Sequence, residues 1–210
     1  MNLSFVVLLP FFGAVLTGWA SHFGRMKSAW TAGAVTLLAV LCLAPFAPTP
    51  FAGETVLWRL DWMPAVGLDL AFRLDGLGLL FASMILGIGL LVILYARYYL
   101  PERDGLGRFY AYLLFFMGSM LGIVLSENVI LMLIFWELTS LSSFLLISYS
   151  YRKSESRRGA RMALAVTGMG GLALLGGLLL LGEMAGSYDL SVILTQGEAV
   201  RADPLYTPML

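Results

Sequence analysis

The sequence predicts an all-α transmembrane helical bundle of about six spanning helices, with a small extracytoplasmic hairpin between helices two and three. Three observations predict it. Of the 210 residues, 60% are hydrophobic and 12% charged, roughly half the charged share of a soluble domain. Six apolar stretches are each long enough to cross the hydrocarbon core, which takes about 20 helical residues. The basic residues fall in alternate links between those stretches, the pattern that fixes orientation in a bilayer. One water-soluble core cannot bury this much apolar surface, so lipid supplies part of the solvent.

The stretches are about 3–20, 29–46, 76–96, 109–125, 129–149 and 162–181, making 1–210 a single transmembrane domain. Each is expected to be helical, because an unpaired backbone amide in lipid costs several kcal/mol. The first could be a secretory signal, with Gly18-Trp19-Ala20 as a cleavage site. No Lys or Arg precedes it, however, while Arg25 and Lys27 follow, so it reads as a retained helix. Pro10 lies inside it and is expected to kink it. Cys42 is the only cysteine and reads as a small buried hydrophobe; His22 sits in a link and carries no assigned role.

Residues 51–75 are too polar to span. Residues 55–60 and 68–73 look strand-like, with a turn at Met63-Pro64-Ala65, giving the hairpin. Gly105 and Gly107 break the link between helices three and four, and Ser126-Glu127-Asn128 forms a tight polar turn before helix five. After helix six, a polar stretch with Asp189, Glu198 and Asp203 leads into Leu205-Tyr206-Thr207-Pro208-Met209-Leu210, which reads as the start of a seventh helix and of a longer protein, with a short Leu-ended tail as the alternative reading.

The links after helices one, three and five carry Arg25 and Lys27; Arg97, Arg103 and Arg108; and Arg152, Lys153, Arg157, Arg158 and Arg161. Those are ten of the 13 basic residues; Arg59, Arg73 and Arg201 remain for the other side. The N-terminus is therefore expected to be extracytoplasmic. The run from Arg152 to Arg161 is mainly a topology signal, with attraction to anionic lipid second. A net charge of zero gives no field for nucleic acid.

Glu137 is the leading candidate for chemistry. It lies mid-way along helix five, nine residues from Asn128 and twelve from Tyr149. A charge at that depth costs at least about 2.5–3.5 kcal/mol. A neutral polar group would satisfy a structural hydrogen bond more cheaply, so a carboxyl there argues for a proton that comes and goes; an interhelical hydrogen bond is the alternative reading. Ser140, one turn on, with Ser143 and Thr139, extends a polar sector along the helix, which equally lets helices pack closely. Asp75, before Gly76, reads as a helix N-cap or an ion-handling group. Glu127 lies where it favours the positive end of a helix dipole, with proton entry as the weaker reading. The glycines of helix six, Gly168, Gly170, Gly171, Gly176, Gly177 and Gly182, point to close helix packing, and Thr167 to a minor polar contribution. No metal-ligand cluster, nucleotide loop or nucleophile–base pair is evident, so no cofactor and no enzyme chemistry are expected.

Three segments carry a family resemblance: 72–81 (Phe-Arg-Leu-Asp-Gly-Leu-Gly-Leu-Leu-Phe), the helix end Tyr95-Ala96-Arg97-Tyr98-Tyr99, and 135–147, with Trp136-Glu137-Leu138-Thr139-Ser140 its most specific part. Together they closely resemble the N-terminal part of the A subunit of Mrp-type Na+/H+ antiporters, relatives of the antiporter-like subunits of respiratory complex I. The resemblance covers essentially all 210 residues. It implies that Glu137 is the family's proton-path glutamate, and that the chain works in a hetero-oligomeric complex in a bacterial plasma membrane, carrying Na+ and H+. Complex I relatives tend to have glycine after that glutamate, so Leu138-Thr139-Ser140 favours the Mrp branch. Family members also have further helices, including a broken seventh with a lysine that pairs with the glutamate; this chain ends before it and has no lysine inside a span. The competing readings are a proton-pumping subunit in the membrane arm of a quinone- or hydrogen-linked redox complex, and a segment needed only for packing.

Overall fold

In an apolar stretch the backbone amides have only one another as partners, and the helix is the local way to pair them all. The computed structural model, which describes residues 2–100 and 105–209, has six helices long and apolar enough to cross a membrane. They are α1 (Ser4–Ala20), α2 (Arg25–Leu43), α4 (Gly76–Tyr99), α5 (Leu106–Leu125), α6 (Val129–Ile147) and α7 (Ser154–Ala185). Short helices fill the links: α3 (Pro48–Phe51), α8 (Leu190–Thr195), α9 (Gly197–Ala202) and α10 (Tyr206–Met209). Arg103 and Leu210 lie outside the described residues.

Helix ends depart from expectation where charge was read as link. α7 begins at Ser154 and runs 32 residues, so Arg157, Arg158 and Arg161 stand on its first turns. Arg, Glu and Ala are good helix formers, and a helix need not stop at the bilayer surface. Likewise Arg25 and Lys27 open α2 behind Gly24 (φ 120°), and Arg108 lies in the first turn of α5. Pro10 is buried within an unbroken α1.

α1 packs on α5 and α2, α5 on α6, and α6 on α7; α2 and α4 close the other flank. α7 is the rim, with only 11% of its apolar window buried. Glycines set the close approaches in the middle. A Cβ at Gly118 would meet the Phe11 ring, one at Gly89 the Met117 side chain, and one at Gly122 the Phe135 ring. Substituting Gly122 by alanine is therefore expected to destabilise the bundle by about 1–3 kcal/mol through overpacking, measured as a lower unfolding midpoint by circular dichroism in micelles.

The hairpin forms as predicted, with longer strands. β1 (Val56–Met63) pairs antiparallel with β2 (Leu68–Leu74), and an irregularity between Asp61 and Met63 leaves Trp62 out of register. The turn is a 3-10 segment, Pro64–Val66, followed by Gly67 at φ 67°. β2 buries Leu68, Ala71, Phe72 and Leu74 against the ends of α4, α5 and α6, while β1 faces outward. Rings continue the contact into the bundle: Trp58 stacks on Phe72, and Phe72, Phe135 and Phe11 follow at centroid spacings of 6.1 and 6.2 Å.

The basic residues do gather at one end. The Arg25 guanidinium donates to the carbonyls of Arg97 and Leu100 at the end of α4, and that of Arg108 lies 5.2 Å from the centre of the Tyr151 ring. The hairpin, with Arg59 and Arg73, occupies the opposite end.

Candidate functional site

Two clusters of polar groups stand out, one at the hairpin end and one mid-way along α6. At the hairpin end, the turn of Ser126, Glu127 and Asn128 ties three elements together. Asn128 caps α6, its Oδ1 accepting from the Ile130 and Leu131 amides, while its Nδ2 donates to the Gly67 carbonyl at 2.8 Å. The Glu127 amide donates to Ala71 of β2, and its carbonyl accepts from Leu190 at 2.7 Å. Its side chain, only 2% exposed, accepts from the Ser191 amide at 2.9 Å through Oε1 and faces Arg73 at 3.7 Å through Oε2. Glu127 thus serves the first turn of α8, whereas the expected dipole partner was the helix that follows it. A buried carboxylate needs this combination of a charge partner and a hydrogen bond.

Asp75 acts as the N-cap of α4, accepting from the Gly78 amide at 2.8 Å, and its other oxygen lies 3.6 Å from Arg73. Arg73 therefore bridges both carboxylates. Beside it, Arg59 hydrogen-bonds Asp189 and lies 3.9 Å from Asp69. The hydrogen bond that Arg59 donates to Asp189 raises the Arg59 pKa above its usual value against the opposing effect of burial, with the charges of Asp189, Asp69 and Asp61 adding to the rise. These are long-range pairs: Arg59 and Asp189 are 130 residues apart.

Mid-way along α6, Glu137 projects along the seam with α7. A Cβ built at Gly171 of α7 would collide with Glu137 Oε1; the missing side chain is what makes room for the carboxyl. The Glu137 side chain is otherwise exposed in this chain, and among the described residues no hydrogen-bond or ion-pair partner touches it. About 100° of rotation per residue puts Ser140 roughly 60° around from Glu137 and Thr139 nearly opposite. Ser140 is buried, and its hydroxyl, like that of Thr139, donates back to the Trp136 carbonyl, at 3.4 and 2.6 Å. Ser143 is half-buried. The structure therefore places Glu137 and Ser140 on neighbouring sides of α6, with Thr139 turned away from them. Asp75 and Glu127 belong to the hairpin end, about 15 Å along α6 from Glu137.

The remaining glycines of α7 divide. Gly182 accommodates the Tyr188 ring, as does Gly67 of the hairpin turn, whereas Gly168, Gly170 and Gly176 face open space. The close packing expected of those three is not made within the described residues. Sequence reasoning missed Gly171 as the partner of Glu137, and Arg73 as the partner of Glu127. The Phe-Arg-Leu-Asp-Gly run was visible, but no local signal says which carboxylate, 54 residues on, its arginine meets. Among the described residues no group of three or more His, Cys, Asp or Glu could hold a metal ion.

A mid-helix carboxylate in a notch, on a bundle capped by an ion-paired hairpin, is the arrangement of a multi-pass membrane protein with a titratable group inside one of its spans. Comparison with known proteins bears on the same point. Residues 62–110 match the family described as NADH-Ubiquinone oxidoreductase (complex I), chain 5 N-terminus, and residues 126–206 the family described as NADH:quinone oxidoreductase/Mrp antiporter, TM. The chain is 47% identical over 208 residues to the A/B subunit of a probable K(+)/H(+) antiporter of Rhizobium meliloti, covering 99% of this chain and 21% of that protein. It is 41% identical over 205 residues to the A1 subunit of a Na(+)/H(+) antiporter of Staphylococcus aureus, covering 97% and 26%. Among solved structures, the Mrp complex from Dietzia superposes with a TM-score of 0.86 at 31% identity, over 99% of this chain and 22% of that one. Respiratory complex I from Thermus thermophilus superposes with 0.74 at 27%, over 93% and 40%. The chain is a multi-pass membrane protein similar, over nearly all its length, to the N-terminal part of the A subunit of the Mrp-type antiporters. It spans about a fifth to a quarter of the length of the curated relatives it matches.

Proposed function

We propose that the chain forms the front part of the A subunit in a hetero-oligomeric antiporter that exchanges a monovalent cation, Na+ or K+, for protons, and that Glu137 binds and releases the transported proton. The single observation that carries this is a carboxyl lodged half-way along a spanning helix, in a notch kept open by Gly171. A titratable group at such depth is costly and is retained for transport far more readily than for packing. The names of the relatives supply the ion classes. The protein is a transporter component rather than a catalyst, seated in a bacterial plasma membrane with the N-terminus and the hairpin extracytoplasmic and the basic end in the cytoplasm.

Ser140 and Ser143 are the hydroxyls nearest in rotation to Glu137, and each can both donate and accept as it turns, so they form the first steps of the proton route. Thr139, facing away, supports the helix wall. Asp75 and Glu127 act at the extracytoplasmic end, holding the hairpin on the bundle, not as relay groups.

The test is transport in everted vesicles carrying the assembled complex, read as collapse of an imposed pH gradient on adding Na+ or K+. Collapse that requires this protein supports antiport; its absence with either cation refutes it. A second reading follows from the likeness to complex I: a membrane-arm component that pumps protons while redox chemistry occurs elsewhere. It requires iron–sulfur proteins to co-purify and gradient formation to follow electron transfer. In either case, replacing Gly171 by alanine should displace the Glu137 carboxyl and lower transport on the order of tenfold without lowering the amount of assembled complex.

A further inference from the structure

Away from the carboxylates, the basic end of α1, α2 and α4 carries a second kind of site. Two apolar grooves flank Trp30 there. One, of about 310 Å³, runs between α2 and α4 past Ala29, Gly33 and Ile93 and ends at Arg97. The other, of about 500 Å³, runs between α1 and α2 past Trp19 and ends at Lys27. Both volumes are in the range of ligand sites. The α2–α4 groove exists because α2 is small-sided where it passes α4: a Cβ at Gly33 would meet nothing within 4 Å.

The cations at the two mouths are held in place. The Arg97 guanidinium lies 5.8 Å from the centre of the Trp30 ring, and the Lys27 ammonium 5.4 Å from that of Phe23. Arg25 is engaged with the Arg97 and Leu100 carbonyls, which closes the α2–α4 seam at this end. Among the described residues neither Lys27 nor Arg97 has a carboxylate partner. Around them, Trp19, Trp30, Tyr95, Tyr98 and Tyr99 are all well exposed, and exposed Trp and Tyr gather where a spanning protein meets the headgroup layer. The grooves therefore open at headgroup depth onto apolar helix faces, with fixed positive charge at their mouths.

We propose that this face binds an anionic diacyl phospholipid, one chain in each groove astride Trp30 and its phosphate between Lys27 and Arg97. Cations at the openings of two apolar grooves match a ligand with one negative head and two tails, and basic recesses between spanning helices recognise such headgroups.

Trp30 is the built-in probe. The assembled complex is placed in phosphatidylcholine vesicles doped with brominated phosphatidylglycerol or, separately, brominated phosphatidylcholine, and the Trp30 signal is isolated by subtracting the Trp30→Phe variant. Each juxtamembrane cation contributes about a fivefold preference for anionic lipid, so Trp30 quenching should favour phosphatidylglycerol by roughly tenfold or more. A Lys27→Gln/Arg97→Gln variant should bring the preference close to unity. Gly33→Leu, which fills the α2–α4 groove while keeping both charges and raising helix propensity, should weaken quenching by both lipids. Arg152→Gln, at the same end but outside the grooves, should change neither. Equal quenching by the two lipids in the unsubstituted complex overturns the proposal, as does a Trp30 that neither lipid reaches because a helix of another protein in the complex covers it. An Arg152→Gln effect as large as that of the double variant also overturns it, since the preference would then be a general surface potential.

Discussion

Glu137→Gln is expected to abolish cation-driven proton movement in vesicles bearing the assembled complex, reducing it to the rate of vesicles without this protein. Glutamine has nearly the same shape, fits the same notch at Gly171 and keeps the hydrogen-bonding capacity of a structural side chain. It removes only the ability to gain and lose a proton. Helical content and the yield of complex should therefore be unchanged, which separates the transport role from a packing role. Glu137→Asp keeps the carboxyl but withdraws it by one methylene from the α7 face, so partial activity is expected. Full transport by the glutamine variant, measured as gradient collapse by a pH-sensitive dye, would leave Glu137 as a packing residue.

Arg73→Ala is expected to be the most destabilising single change at the hairpin end, by about 3 kcal/mol. That is the lower end of the range for breaking a buried ion pair, chosen because the Arg73 side chain is 27% exposed while that of Glu127 is 2% exposed. The cost arises less from the lost attraction than from the carboxylate left behind in a buried turn. Combining Arg73→Met with Glu127→Gln removes both charges and keeps an acceptor for the Ser191 amide, so this double variant should recover most of the loss. Unfolding midpoints in mixed micelles supply the cycle; additive effects would mean that the two side chains do not interact.

Much of the fold could be read from the residues because lipid simplifies the problem. A run of apolar residues about 20 long has one stable answer, and α1, α4, α5 and α6 follow their runs to within a few residues. The hairpin was legible from alternation, and Asp75 as a cap from its position before Gly76. The end of α7 was not legible: at residues 154–161 polarity marks where the bilayer stops, and helical hydrogen bonding continues regardless. At the site, Glu137 was legible because a charge in an apolar run is anomalous by itself. Its relation to Gly171 was not, since the seven glycines of α7 look alike in sequence and only the packing of α7 on α6 selects one. The Arg73–Glu127 and Arg59–Asp189 pairs were hidden for the same reason, being made by chain segments brought together only on folding.

The unbroken length of α7 has a mechanical consequence. At about 1.5 Å per residue its 32 residues extend roughly 48 Å, well beyond about 30 Å of hydrocarbon. Ser154 and Gly171 are joined by continuous helix with no hinge between them. A push or twist applied by a neighbour to the arginine-bearing stub is thus delivered, as from the handle of a stiff shaft, to the notch that seats Glu137.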